Sequence, residues 1–149
     1  METLTNAPLR REFDLPEEDE EFLQALALPW ETAVVVEGSS RALWLFIHDY
    51  AIPAGYSASG STSPLQTVTL GIRVTGYPST ALDMVYVHPP LRRSNGQAIA
   101  AVGDLVLDGR TFQQWSRHYS STNQFRIGFD NIGTHLSLAD EWLRKEIIK

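Results

Sequence analysis

The chain has 149 residues, 43% of them hydrophobic and 20% charged, a length that buries roughly 70% of its unfolded surface and needs no metal or disulfide to fold as one domain. Its net charge is -6, and only the short run Leu91-Arg92-Arg93 and the scattered Arg110, Arg117 and Arg126 could contribute to a basic patch, which argues against nucleic acid as a partner. Cysteine is absent, so disulfides, thiolate metal sites and thioester chemistry are excluded within this chain.

Residues 1–13 are polar, mixed in charge and carry Pro8, and they read as a flexible amino-terminal arm before a single domain at 14–149. No basic and apolar signal pattern precedes the acidic stretch, so the expected compartment is the cytoplasm. A helix follows the arm. Asp14 is its expected cap, and Pro16 suits a first turn. Glu17, Glu18, Asp19, Glu20 and Glu21 place negative charge where the helix dipole favours it, as a solvated turn or a docking face for a basic partner. Phe22, Leu23, Leu26 and Leu28 form an apolar stripe that Pro29 ends.

Strand patterns come next. Residues 31–37 are β-branched, and Gly38-Ser39-Ser40 is a turn signal. Residues 42–50 form a second run. Its apolar core, 42–47, is the longest in the chain and far too short to span a bilayer, so no membrane partner is expected. Residues 54–64 are small and polar and read as an exposed loop. Residues 66–74 alternate, with Val68, Leu70, Ile72 and Val74 on one face, and 83–87 alternate as well. Short links between successive strands favour an antiparallel meander. After Pro90, residues 92–108 read as irregular and 112–119 as a short helix or turn. Residues 131–149 give the clearest helix, with Leu136, Ala139, Leu143 and Ile147 at spacings of three and four. The expected class is α+β: an N-terminal helix, a four-stranded antiparallel meander, a long irregular segment and a C-terminal helix.

Several residue sets carry a resemblance. Gly76-Tyr77-Pro78 lies between the third and fourth strands, and His88-Pro89 follows the fourth. Asp83-Met84, the phrase Trp115-Ser116-Arg117-His118, and Asp130 followed by Thr134-His135-Leu136 complete the set. Together these resemble the prokaryotic branch of the ubiquitin-conjugating-enzyme (UBC-like) superfamily over residues 22–145. The resemblance implies a UBC fold in which Tyr77, Pro78, Asp83, His88 and Pro89 are structural. It also implies partners: an activating-enzyme homologue, a ubiquitin-like β-grasp protein and a JAB-type metalloprotease of the same pathway. No cofactor is implied. The chain departs from the conventional pattern at Pro90, which replaces an asparagine. It departs again at 96–103, where a thiol is expected and Gly-Gln-Ala-Ile-Ala-Ala-Val-Gly stands. Three readings follow: chemistry without a thiol, a silent homologue, or a cysteine changed to Ala98, Ala100 or Ala101.

Without a thiol, a hydroxyl is the next acyl acceptor. Ser116 lies two residues before His118, so an extended backbone points both to one face, and Asp130 can orient the imidazole in the manner of a triad. Each has an ordinary alternative: Ser116 bonding to backbone, His118 holding a structural hydrogen bond, Asp130 capping the final helix. Arg117 can receive a partner's terminal carboxylate or pair with one of the chain's acidic residues, and Trp115 packs in the core or at a binding rim. The expected catalytic group is therefore Ser116, His118 and Asp130, with Arg117 and Trp115 binding. Two alternatives stand beside unconventional transfer. One is a non-catalytic adaptor docking the β-grasp protein or the activating enzyme. The other is a small metal-dependent hydrolase using His88, His118, His135 and Asp130, although no histidines pair at ligand spacing.

Overall fold

Gly38 and Ser39 make a two-residue connection, with Gly38 at φ +62°, and they fold β1 (Trp30–Glu37) back on β2 (Ser40–Ala51) in antiparallel register. The computed structural model describes residues 8–149. Before β1 stands α1 (Glu17–Leu26). After β2 come β3 (Tyr56–Ala58), β4 (Thr67–Arg73), β5 (Val85–His88), β6 (Leu91–Arg93), β7 (Val102–Leu107), β8 (Arg110–Trp115) and α2 (Ile132–Ile147). The main sheet has six strands in the order β1-β2-β4-β5-β8-β7, all antiparallel, while β3 and β6 pair separately.

The α+β class stands, with the sheet larger than expected. Two strands lie where irregular chain, a helix or a turn was expected. β7 and β8 form a hairpin closed by Asp108-Gly109, both at positive φ (54° and 76°), a turn chemistry matched to the twist of the flanking strands. β7 escapes a pattern reading because Gly103 and Asp104 interrupt it and most of its side chains face water. The expected loop at 54–64 contains β3, whose partner β6 is contributed by the segment after Pro90.

Alternation along the strands divides the apolar side chains between two faces. Leu45, Ile47, Leu70, Ile72, Val87 and Trp115 face the helices and pack with Leu23, Ile132, Leu136 and Leu143. Trp44, Phe46, Tyr86 and Phe112 face the other way. Trp44 meets Tyr86 edge-on at 4.8 Å, and Phe46 lies 5.5 Å from Phe112. Gly71 leaves room for these rings, since a Cβ there would stand 3.3 Å from the Phe46 ring. The sheet curls around this second face. A single guanidinium, Arg10, reaches Glu31 on β1 at 2.9 Å and Asp108 in the β7–β8 turn at 2.6 Å, so it joins the two edges. Of the expected arm, residues 1–7 lie outside the described residues. Residues 10–12 run along β1, exchanging backbone bonds with Thr32.

Both helix starts differ from expectation. Pro16, not Asp14, is the N-cap of α1. Asp19 does not belong to a solvated acidic face, because its carboxylate is buried and accepts from Tyr77 Oη (2.7 Å) and from the backbone N–H of Ile132 (3.1 Å). Burial and Asp19 push the Tyr77 phenol well above its ordinary pKa, which keeps it a donor. Tyr77 therefore ties the turn before β5 to the start of both helices. At α2 the cap is Asn131, one residue after Asp130. Its side chain accepts from the Thr134 backbone N–H, while Thr134 Oγ1 accepts from the Asn131 N–H, a capping box.

Candidate functional site

The chain leaves β8 at Trp115, and the next three residues diverge. Trp115 is fully buried, donating its indole N–H to Gln113 Oε1 at 2.8 Å, so it is a core residue with no surface for a partner. The backbone N–H of Ser116 donates to the Ala101 carbonyl, and its hydroxyl accepts from Gln114 Nε2 at 3.2 Å. Arg117 lies over the Trp115 ring at 4.8 Å and donates to Glu146 Oε1 at 3.3 Å, a carboxylate whose side chain is only 3% exposed. Its fork is thereby committed within the fold. Ala98, Ala100 and Ala101 are exposed in the segment before β7, and the Ala101 carbonyl fixes that segment against Ser116.

His118 turns outward. Its Nδ1 meets Asp83 Oδ2 at 2.7 Å, with the two side chains 58% and 45% exposed. The imidazole partner is thus Asp83 rather than Asp130. Asp130 instead accepts the Arg126 backbone N–H at 2.7 Å, which holds its carboxyl below the usual range. It lines a polar cleft of about 640 Å³ with Tyr119, Asn123, Arg126 and Thr134. The expected Ser116–His118–Asp130 constellation does not assemble.

A second tie holds the Asp83–His118 pair in place. His135 is buried and donates from Nε2 to the carbonyl of Met84 at 2.8 Å, while its Nδ1 accepts the Tyr119 hydroxyl at 2.7 Å. Burial pushes the His135 imidazole below its ordinary pKa, so the neutral ring that this arrangement requires is the favoured one. Residues 83–84 and 118–119 are therefore fastened side by side, which accounts for the separate motifs Asp83-Met84, Trp115 to His118 and Thr134-His135 as parts of one structure.

The four groups offered for a metal stay apart. His135 has both nitrogens occupied, and His88 donates from Nδ1 to the Thr111 carbonyl at 2.7 Å. Among the described residues no group of three or more histidine and carboxylate side chains is placed to hold an ion. No described helix is long and apolar enough to cross a membrane.

One cluster escaped the sequence reading. His48 Nδ1 lies 3.0 Å from Thr69 Oγ1, and its Nε2 lies 2.6 Å from Glu31 Oε2. The three residues sit on β2, β4 and β1, separated by 17 and 21 positions, and no local spacing announces them.

The curled antiparallel sheet, its two helices on one face and the Tyr77-Pro78 and His88-Pro89 corners are consistent with the ubiquitin-conjugating-enzyme (UBC-like) class, here without a thiol. The chain matches Prokaryotic E2 family E over residues 15–146 and belongs to that family. No curated protein and no solved structure gave a match.

Proposed function

We propose that this chain is a thiol-free conjugating component of a ubiquitin-like pathway, working beside an activating-enzyme homologue and a β-grasp modifier, with a JAB-type metalloprotease in the same pathway. His118 acts as general base, and Asp83 orients it and stabilises its cationic form. The observation that carries this reading is the exposed 2.7 Å contact between them. A carboxylate bonded to Nδ1–H leaves Nε2 as the proton acceptor, facing solvent, where a partner's nucleophile can approach. Among the described residues no hydroxyl is bonded to that nitrogen, so the attacking amine or hydroxyl comes from the partner.

Reconstitution with the activating enzyme, modifier and ATP tests it. His118→Gln lowers the conjugation rate by about 100-fold, the lower end of what a general base contributes, and Asp83→Asn by about tenfold. Unchanged conjugation in His118→Gln refutes the proposal. A second reading, a non-catalytic adaptor, is favoured by the engagement of the Ser116 hydroxyl with Gln114. It requires that conjugation depend on this chain while remaining indifferent to His118→Gln.

A further inference from the structure

Glu31, His48, Thr69 and His88 belong to the sheet face that carries Trp44, Phe46, Tyr86 and Phe112, at the end opposite the Asp83–His118 pair along β5. Their arrangement is ordered by charge and by hydrogen-bond direction. The Glu31 carboxylate receives Arg10 Nε at 2.9 Å on one oxygen and His48 Nε2 at 2.6 Å on the other. Burial pushes that carboxyl upward and is outweighed by the Arg10 and His48 bonds, so it stays ionised and accepts. Nε2 of His48 therefore carries the proton, and Nδ1 is left as a base directed at the Thr69 hydroxyl, 3.0 Å away. Carboxylate, imidazole and hydroxyl are aligned in the order that activates an oxygen nucleophile.

Two further features support this. The register between β2 and β4 shifts between Ile47 and Tyr50, with Asp49 at φ +58°. His48 thus sits in a bulge, a device that re-aims a side chain beside a site. His88 stands directly opposite Thr69 in the β4–β5 register, on the same face, and its Nδ1 is already tied to Thr111. Thr69 and His48 are half-buried, each keeping some exposure to solvent.

We propose that Thr69 is an acyl-accepting nucleophile, with His48 as its base and Glu31 as the residue that positions His48. Thr69 Oγ1 bonds to the carbonyl carbon of an activated ester, thioester or acyl phosphate as the bond from that carbon to its leaving group breaks. The hydroxyl proton passes to His48 Nδ1 and on to the leaving group, giving a threonyl oxyester without oxidant or reductant. The proposal is independent of the His118 reading and needs no partner for its test.

The purified chain is incubated with p-nitrophenyl acetate, nitrophenolate release is followed, and the acetyl group is located by peptide mass spectrometry. The expected result is one acetyl on Thr69, retained at position 69 in Thr69→Ser and absent there in Thr69→Val. In His48→Gln the rate at Thr69 falls about 100-fold. Circular dichroism and melting curves establish that each variant is folded. Should His48→Gln not fold, the Thr69→Ser and Thr69→Val pair decides by itself. Acetylation confined to lysines and the amino terminus, or a Thr69 rate unchanged in folded His48→Gln, overturns the proposal.

Discussion

Replacing Tyr77 by Phe removes one oxygen and leaves the ring, so nearly all of its effect passes through Asp19. That carboxylate is 1% exposed and has two donors, Tyr77 Oη at 2.7 Å and the Ile132 N–H at 3.1 Å. Losing the shorter bond leaves a buried acceptor half satisfied, which costs about 1.5–3 kcal/mol when the acceptor is ionised. For a chain of this length, 1 kcal/mol moves the melting temperature by about 2–4 °C, so the expected fall is roughly 3–12 °C. Urea unfolding followed by tryptophan fluorescence measures the free energy directly. Asp19→Ala and the double variant complete a mutant cycle, in which a coupling of at least about 1 kcal/mol is expected. A loss below about 0.5 kcal/mol in Tyr77→Phe, or strict additivity in the cycle, would refute the claim that this contact holds the turn to both helices.

Other expectations concern the second helix and its histidine. Asn131→Ala removes the acceptor for the Thr134 N–H and lowers stability by about 1 kcal/mol in the same urea assay, whereas Asp130→Ala leaves the cap intact and costs less. The buried, neutral His135 binds a proton less readily folded than unfolded. Its contribution is therefore present above the ordinary histidine pKa of about 6.5 and is lost as pH falls below it. The urea midpoint should drop between about pH 7 and pH 5, and the drop should shrink in His135→Gln.

The sequence made visible what strict alternation and helical spacing can express. Val68, Leu70 and Ile72 face the core as their period of two requires, and Leu136, Ala139 and Leu143 form the buried stripe of α2. Asp108-Gly109 was a readable hairpin signal, but the flanking β7 carries no alternation to accompany it. The site was legible only in part, for a physical reason. Asp83 and His118 each stood inside a motif, yet the link between them crosses 35 residues and depends on the way β5 and β8 lie side by side. The pairing of His48 with Thr69 depends on a bulge, which shifts register without leaving a periodic trace. Asp130 and Ser116 are near His118 in the chain but are engaged locally, one by Arg126 and the other by Gln114. Proximity in sequence thus favoured the wrong partners.

Arg10 also bears on the order in which the chain can finish folding. Its guanidinium contacts Asp108, 98 residues further on, so this contact must wait for the β7–β8 hairpin. Closing so long a loop costs conformational entropy before any contact repays it, and folds rich in such pairings form slowly. During synthesis the ring of Phe46 emerges well before Phe112 and Arg110, which later pack against it. The aromatic face is thus completed only when β8 packs, and Arg10 then bridges the two sheet edges through Glu31 and Asp108.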